Sequence, residues 1–208
     1  MKEGRRKSLE AKKKLKEEEK LKNYNVILAS GSPRRQQFFK ELDLEFKIQI
    51  KEIEEKFPKH LKGAEITDFL AKLKSEPFIG SLQSKDILIT SDTIVWLDDK
   101  AIGKPKDEND AFKMIKKLSD KTHEVVTSIC FTLKSEQRVV NTITKVTFKA
   151  LSDAEISYYV TKYKPLDKAG AYGIQEWIGY IGIEKINGSY FNVMGLPIQK
   201  LYDELKKF

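Results

Sequence analysis

A short polar turn near the N-terminus contains residue types that bind an anion: Ser30-Gly31-Ser32-Pro33-Arg34-Arg35. Ser32 followed by Pro33 predicts the start of a helix, whose first backbone N–H groups and positive dipole end favour a negative charge. Two arginines in the first turn oppose that dipole, so an anion held between them and the backbone amides explains them. We interpret the turn as a phosphate-binding loop; the alternative is an ordinary capped helix with two solvated arginines.

A carboxylate interrupts an apolar stretch in the run Ile87-Leu88-Ile89-Thr90-Ser91-Asp92-Thr93-Ile94-Val95. Burying an ionised carboxylate is costly unless a cation or a metal ion compensates its charge. Asp92 is therefore a candidate functional residue. The alternative is a structural aspartate that is satisfied within a β-bulge.

A third segment combines small residues with polar side chains: Asp167-Lys168-Ala169-Gly170-Ala171-Tyr172-Gly173-Ile174-Gln175. Small residues let the backbone approach a ligand, and a glutamine amide can both donate to and accept from the edge of a base. Lys74 lies in the last turn of a predicted helix, where it either points into a cleft or complements the helix dipole. The loop Gly103-Lys104-Pro105 presents a further lysine.

The elements that must position these segments are predicted from apolar spacing and capping residues. Strands are expected over residues 26–29, 44–50, 87–97, 125–133 and 138–149. Helices are expected to begin at Ser32, Asp107 and Ser152, to cover residues 64–73, and to close the chain after Gly195. Asp98-Asp99 and Asn187-Gly188 predict hairpin turns. With 208 residues, the chain is long enough for one large domain or two small lobes.

The composition, with 40% hydrophobic and 34% charged residues, predicts a soluble globular protein without a membrane contact. The N-terminus lacks the apolar segment of a secretory signal, and a single Cys130 in an apolar strand allows no internal disulfide, so we expect a cytoplasmic protein. His60 and His123 are the only histidines, which argues against a zinc site or a serine–histidine–aspartate triad. Any metal should be a hard divalent cation bound by carboxylates and phosphates.

The net charge of +8 is concentrated at the N-terminus. Residues 1–22 contain ten basic and five acidic residues, which accounts for +5 of the total. We interpret residues 1–22 as a basic, mobile extension and residues 23–208 as a single domain. Because the excess charge lies outside the predicted fold, nucleic-acid binding is not favoured; a nucleic-acid or membrane tether is the alternative role of the extension.

Taken in order, these segments resemble the Maf family of nucleotide pyrophosphatases. The polar turn after Leu28-Ala29 resembles the family's N-terminal signature, and Ser91-Asp92-Thr93 resembles its aspartate–threonine strand. The glycine-rich segment, the lysine loop and Asn192-Val193-Met194-Gly195-Leu196-Pro197 occur in the family's order. Several spaced motifs in one order are far more specific than any one of them.

The resemblance implies an α/β fold: a mixed twisted sheet with flanking helices and two lobes around a deep cleft, as in Maf and inosine triphosphatase-like proteins. It implies a homodimer that hydrolyses nucleoside triphosphates to the monophosphate and diphosphate, and so removes non-standard nucleotides. It also implies a divalent cation, Mg²⁺ or Mn²⁺, as cofactor.

The same resemblance assigns roles to residues. Asp92 takes the position of the general base. Apart from the resemblance, we expect Asp92 also to hold the metal, with Glu54 or Glu55 as a second ligand. Arg34, Thr93 and Gln175 match the selectivity positions of the branch that acts on dTTP and UTP. The residues expected to bind substrate are Ser30, Ser32, Arg34, Arg35, Lys74, Thr93, Lys104, Lys168 and Gln175.

Two departures from the family pattern stand near the expected site. Leu73-Lys74-Ser75 replaces a Glu-Lys-Ala triplet, which keeps the lysine but loses a carboxylate. Glu176-Trp177 follows Gln175 where the family tends to small residues. Two alternative functions remain open: a pyrophosphatase for 7-methyl-GTP, and a nucleotide-binding regulator of cell division without significant catalysis.

Overall fold

The fold is built on one seven-stranded mixed sheet, in a computed structural model that describes Leu21 and residues 23–208. The predicted mobile extension over residues 1–22 lies outside the described residues, apart from Leu21. The strands are β1 (Asn25–Leu28), β2 (Phe46–Ile48), β3 (Asp86–Leu97), β4 (Lys100–Ile102), β5 (Thr122–Thr132), β6 (Gln137–Phe148) and β7 (Ile183–Asn187).

The strand order is β2-β1-β3-β5-β6-β7, with β4 paired to β3. The first three strands in this order are parallel, and every later pairing is antiparallel. The described helices are α1 (Pro33–Glu41), α2 (Ala64–Leu73), α3 (Glu108–Leu118), α4 (Asp153–Tyr163), α5 (Trp177–Gly182), α6 (Tyr190–Val193) and α7 (Ile198–Leu205). None of the helices in this described part is long and apolar enough to cross a membrane.

The long strand β3 contributes to several apolar clusters and is polar in its middle. On one face, Ile87 and Ile89 pack with α1 and α7, whereas Val95 and Leu97 pack with α3 and α4. Four consecutive polar residues, Thr90 to Thr93, lie between these ends and are followed by the apolar Ile94. The apolar cores therefore lie toward the two ends of the strand, and its polar centre lies between them.

The sheet is also incomplete beside this polar centre. β1 pairs with β3 as far as Ile89, and β4 pairs with the same edge from Val95 onwards, since β5 occupies the opposite edge. Residues 90–94 therefore have no strand partner on one side. This gap in the sheet edge is where a cleft can reach the middle of a buried strand.

Capping signals are confirmed where the sequence predicted them. Ser32 accepts from the Arg35 N–H and Asp107 accepts from the Asp110 N–H, so each begins its helix. Ser152 forms a complete capping box with Glu155. Asp98 and its neighbour both have positive φ angles, 51° and 56°, as a tight hairpin turn between β3 and β4 requires.

The structure corrects one local prediction and rules out one local alternative. Asn187-Gly188 does not form a hairpin: β7 ends at Asn187 and Ser189 then caps α6. Asp92 does not lie in a bulge, because it pairs with Ser128 in an unbroken β3–β5 register. Cys130, which the sequence places in an apolar strand, is buried in β5.

Candidate active site

A cleft of about 720 Å³ opens at the gap in the sheet edge. Its lining combines the polar turn after β1, the centre of β3, the end of α2 and the glycine-rich segment before α5. All nine residues expected to bind substrate line it, together with Asp92: Ser30, Ser32, Arg34, Arg35, Lys74, Thr93, Lys104, Lys168 and Gln175. The structure therefore brings together residues that are up to 145 positions apart in the sequence.

The polar turn is shaped by its own short-range hydrogen bonds. The Ser30 hydroxyl accepts from the Ser32 N–H at 3.3 Å, and the Gln36 side chain donates to the Ser30 carbonyl at 3.0 Å. Pro33 occupies the first turn of α1, which contains no acidic residue. The N-terminal end of α1 therefore faces the cleft with its positive dipole uncompensated by its own first turn.

Arg35 fills the gap in the sheet edge. Its guanidinium donates to the carbonyls of Ser91 and Gly195, both at 2.8 Å, and to the Thr93 hydroxyl at 3.0 Å. Burial lowers the pKa of this guanidinium, whereas the nearby Asp92 carboxylate acts in the opposite direction. Arg35 therefore holds the two sides of the cleft together, and only part of its donor capacity remains for a phosphate.

Asp92 is buried at the floor of the cleft, and Lys74 compensates its charge. Lys74 Nζ lies 2.6 Å from Asp92 Oδ1 and 3.1 Å from Glu55 Oε1. Lys74 stands at the C-terminal end of α2, which packs on the face of β3 that carries Asp92. Of the two interpretations of Lys74, the structure supports the one in which it points into the cleft.

The acidic residues beside Asp92 require one correction. Glu54 does not line the cleft; it is exposed and pairs with Lys56 at 2.5 Å. Glu55 lines the cleft and shares Lys74 with Asp92. The Lys56 N–H donates to the Glu54 carbonyl at 2.9 Å, which turns the chain at Glu55, and of the two glutamates Glu55 is the one that pairs with Lys74. Across the described part of the chain, no group of three or more His, Cys, Asp or Glu side chains is arranged to hold a metal.

The opposite wall of the cleft is a connected set of charges. Asp167 accepts from Arg34 at 3.0 Å and from Lys168 at 2.8 Å, which links α1 to the glycine-rich segment. Lys168 is largely buried and also pairs with Glu176 at 3.1 Å. These two cations lower the pKa of Asp167, although its partial burial acts in the opposite direction. Arg34 is thus held across the cleft by a carboxylate.

Among the residues expected to bind substrate, some already have hydrogen-bond partners within the protein and others have none. Thr93 is bound to Arg35 and to the Thr127 hydroxyl at 2.9 Å. The side chains of Gln175 and Lys104 line the cleft and have no hydrogen-bond partner among the described residues. Both are therefore available to a ligand.

Sequence reasoning missed several residues that support the site. Asp167 begins the glycine-rich segment and Tyr159 lies in the helix that Ser152 begins, but the sequence indicates no role in the site for either. Glu176 was noted as a departure from the family, which was the one available signal that it has a role of its own. Ser91 is buried in the cleft lining, and its hydroxyl has no hydrogen-bond partner within the described part of the chain.

Comparisons with known proteins agree with this geometry. A family model described as "Maf-like protein" matches residues 25–208. A protein of Flavobacterium psychrophilum named dTTP/UTP pyrophosphatase is 61% identical, over 88% of this chain and 94% of that protein. Proteins with the same name from Flavobacterium johnsoniae and Christiangramia forsetii are 59% and 58% identical, over 90% and 91% of this chain and 96% and 97% of those proteins. With its cleft motifs and nearly its whole described length matched, this chain belongs to the Maf-like protein family.

Proposed function

We propose that this protein is a nucleoside triphosphate pyrophosphatase that hydrolyses dTTP and UTP to the monophosphate and diphosphate. The observation that carries the proposal is a buried carboxylate, Asp92, on the floor of a cleft lined by six cationic side chains. A triphosphate has the complementary charge, and phosphoryl chemistry depends mainly on positioning and charge neutralisation. The relatives' names supply the two nucleotides.

In the proposed reaction, the polar turn and the lysines of the cleft bind the triphosphate. Asp92 orients a water molecule and accepts its proton as the water oxygen attacks the α-phosphorus. The bond from the α-phosphorus to the bridging oxygen breaks, and diphosphate leaves with the electron pair. Lys74 keeps the Asp92 side chain in place, and Lys104 is free to neutralise charge on the leaving group.

A divalent cation fits this donor set. Asp92 Oδ1 and Glu55 Oε1 lie 2.6 Å and 3.1 Å from Lys74 Nζ, so the two carboxylates are neighbours in the cleft and would share an ion beside that ammonium group. Mg²⁺ typically takes one or two protein carboxylates and completes its shell with water and substrate phosphates. Asp92 and Glu55 would hold the ion, which would supply charge neutralisation at the phosphates and lower the pKa of a bound water. Mn²⁺ suits the same oxygen ligands.

Gln175, Thr93 and Arg34 are proposed to select the base. The free amide of Gln175 can pair with the donor and acceptor edge of thymine or uracil. Arg34, which Asp167 holds in the cleft, lies within the same lining as the other two.

The deciding experiment is a diphosphate-release assay with dTTP, UTP and 7-methyl-GTP, with Mg²⁺ or Mn²⁺ and with EDTA. We expect release from dTTP and UTP that EDTA abolishes. A preference for 7-methyl-GTP would favour the other branch, and nucleotide binding without release would favour a regulator. The homodimer and the cytoplasmic location stay predictions, which light scattering and cell fractionation can test.

A further inference from the structure

One buried phenol contacts both ends of the turn that carries Gln175. Residues 173–176 form a tight turn closed by the Glu176 N–H, which donates to the Gly173 carbonyl at 3.0 Å. The Tyr159 hydroxyl accepts from the Gly173 N–H at 3.0 Å and donates to the Glu176 carboxylate. Tyr159 therefore bonds to the first and last residues of the turn, on either side of Gln175.

The position of this phenol is itself fixed by packing. Tyr159 is fully buried in α4 and stacks on Tyr163, with ring centroids 5.1 Å apart. Burial, followed by the bond to Glu176, raises the pKa of Tyr159, so the phenol stays protonated and continues to donate. The position of the Glu176 carboxylate requires a glycine at residue 173, because a Cβ there would lie 2.8 Å from Glu176 Cδ.

Glu176 connects Tyr159 to the cleft, although Glu176 itself does not line the cleft. Its other carboxylate oxygen pairs with Lys168 at 3.1 Å, and Lys168 lines the cleft. Glu176 is thus bound by a phenol on one side and an ammonium on the other. A side chain held at both oxygens by largely buried partners cannot turn without breaking a bond.

We propose that Tyr159 and Glu176 are a positioning pair that fixes the turn of residues 173–176 and thereby holds the Gln175 amide in register with the nucleobase. This inference rests on the proposed function, in which Gln175 contacts the base. Neither member of the pair touches the substrate. Their effect on the difference in affinity between bases acts through Gln175, whereas Glu176 can also affect the binding of every nucleotide alike through Lys168.

The test is equilibrium binding of two non-hydrolysable analogues that differ only in the base: the α,β-imido forms of dTTP and dCTP. Calorimetry gives both affinities for the wild type and four variants: Tyr159→Phe, Glu176→Ala, Glu176→Gln and Tyr163→Phe. Tyr159→Phe removes both bonds to the turn, and Glu176→Ala removes the acceptor. Glu176→Gln keeps an oxygen that can accept from the phenol, and Tyr163→Phe removes a neighbouring hydroxyl that has no partner among the described residues.

We expect Tyr159→Phe and Glu176→Ala to lower the preference for dTTP over dCTP by about tenfold, the loss of roughly one hydrogen bond's contribution. Glu176→Gln and Tyr163→Phe should keep the preference within about twofold, a much smaller free-energy change. Glu176→Ala serves as the second variant if Tyr159→Phe fails to fold.

The inference is overturned if the preference is unchanged in the first two variants, or if both analogues lose affinity equally, as a merely structural role predicts. It is also overturned if the wild type binds both analogues equally, or if Tyr163→Phe shows the same loss. Absence of diphosphate release with an intact binding preference would overturn the proposed function alone.

Discussion

Lys74 Nζ lies 2.6 Å from Asp92 Oδ1 and so joins the end of α2 to the centre of β3. The side chains are only 17% and 8% exposed, which makes this one of the few charge pairs of the cleft shielded on both sides. The contact resolves the problem that the sequence posed, a carboxylate inside an apolar strand. It also places beside the candidate base a cation that offsets the charge of the carboxylate when a negatively charged substrate binds.

The first prediction concerns the base itself. Asp92→Asn keeps the volume and one acceptor oxygen but removes the group that takes a proton, so turnover of dTTP should fall by about 10²–10⁴-fold. Binding of a non-hydrolysable analogue should persist. Asp99→Asn, in the exposed turn after the same strand, is the matched control, because Asn also tolerates its positive φ. Undiminished turnover in Asp92→Asn would exclude Asp92 from the chemistry.

The second prediction concerns the contribution of the Lys74–Asp92 ion pair to stability. Lys74→Met leaves Asp92 buried without its cation, which should lower the free energy of unfolding by roughly 3 kcal/mol. The double variant with Asp92→Asn should recover most of that loss, because no uncompensated charge remains. Urea denaturation of the four proteins measures the coupling. Purely additive losses would mean that the pair contributes nothing specific to stability.

The third prediction compares the two adjacent arginines. Arg35→Lys cannot reproduce three donations from one planar group, so the carbonyls of Ser91 and Gly195 lose donors. We expect a loss of about 1–3 kcal/mol in the free energy of unfolding. Arg34→Lys is the matched control and should cost less than about 1 kcal/mol, because its bridge to Asp167 is partly exposed. Equal losses would contradict the role of Arg35 as the residue that closes the gap.

The fourth prediction is a change in base selectivity. Arg34→Ala should raise the KM for dTTP by about tenfold and reduce the discrimination between dTTP and dCTP, since it removes a contact made in substrate binding. Steady-state kinetics with both nucleotides measure the effect. If selectivity is untouched while KM rises equally for both, Arg34 binds phosphate and does not select the base.

The fifth prediction is a pH dependence of stability that comes from His123. Burial lowers the pKa of His123 to about 4, and its ring nitrogen bonds to the Tyr172 hydroxyl at 2.8 Å. The unfolded chain, with a histidine pKa of about 6.5, binds the proton more readily. Stability is therefore fully present above that value and is lost as the pH falls toward 4, by up to roughly 3 kcal/mol.

Urea denaturation between pH 7.5 and 4.5, values chosen to bracket about 6.5, should show a flatter profile for His123→Gln than for the wild type. His60 is exposed, and His60→Gln should leave the wild-type slope unchanged. Parallel profiles for the wild type and His123→Gln would show that the buried histidine does not contribute this dependence.

Much of the local structure could be predicted because its causes are local. Ser32, Asp107 and Ser152 begin helices since a side-chain oxygen reaches an N–H three residues later, a contact that any such segment can make. The same reasoning identified the polar turn, the aspartate in β3 and the glycine-rich segment. It failed at Asn187-Gly188, where the next residue, Ser189, exchanges hydrogen bonds with Thr144 of β6 and begins a helix, contacts that a local turn preference does not include.

The sequence by itself determined which residue types the cleft contains and in what order they occur. Only the tertiary structure decided which of them meet: Glu55 rather than Glu54 beside Lys74, Arg35 in the gap of the sheet, and Tyr159 on both ends of the turn that carries Gln175. These contacts join residues that are distant along the chain, or distinguish one of two neighbouring glutamates. They depend on how strands and helices pack, and no short stretch of sequence specifies that packing.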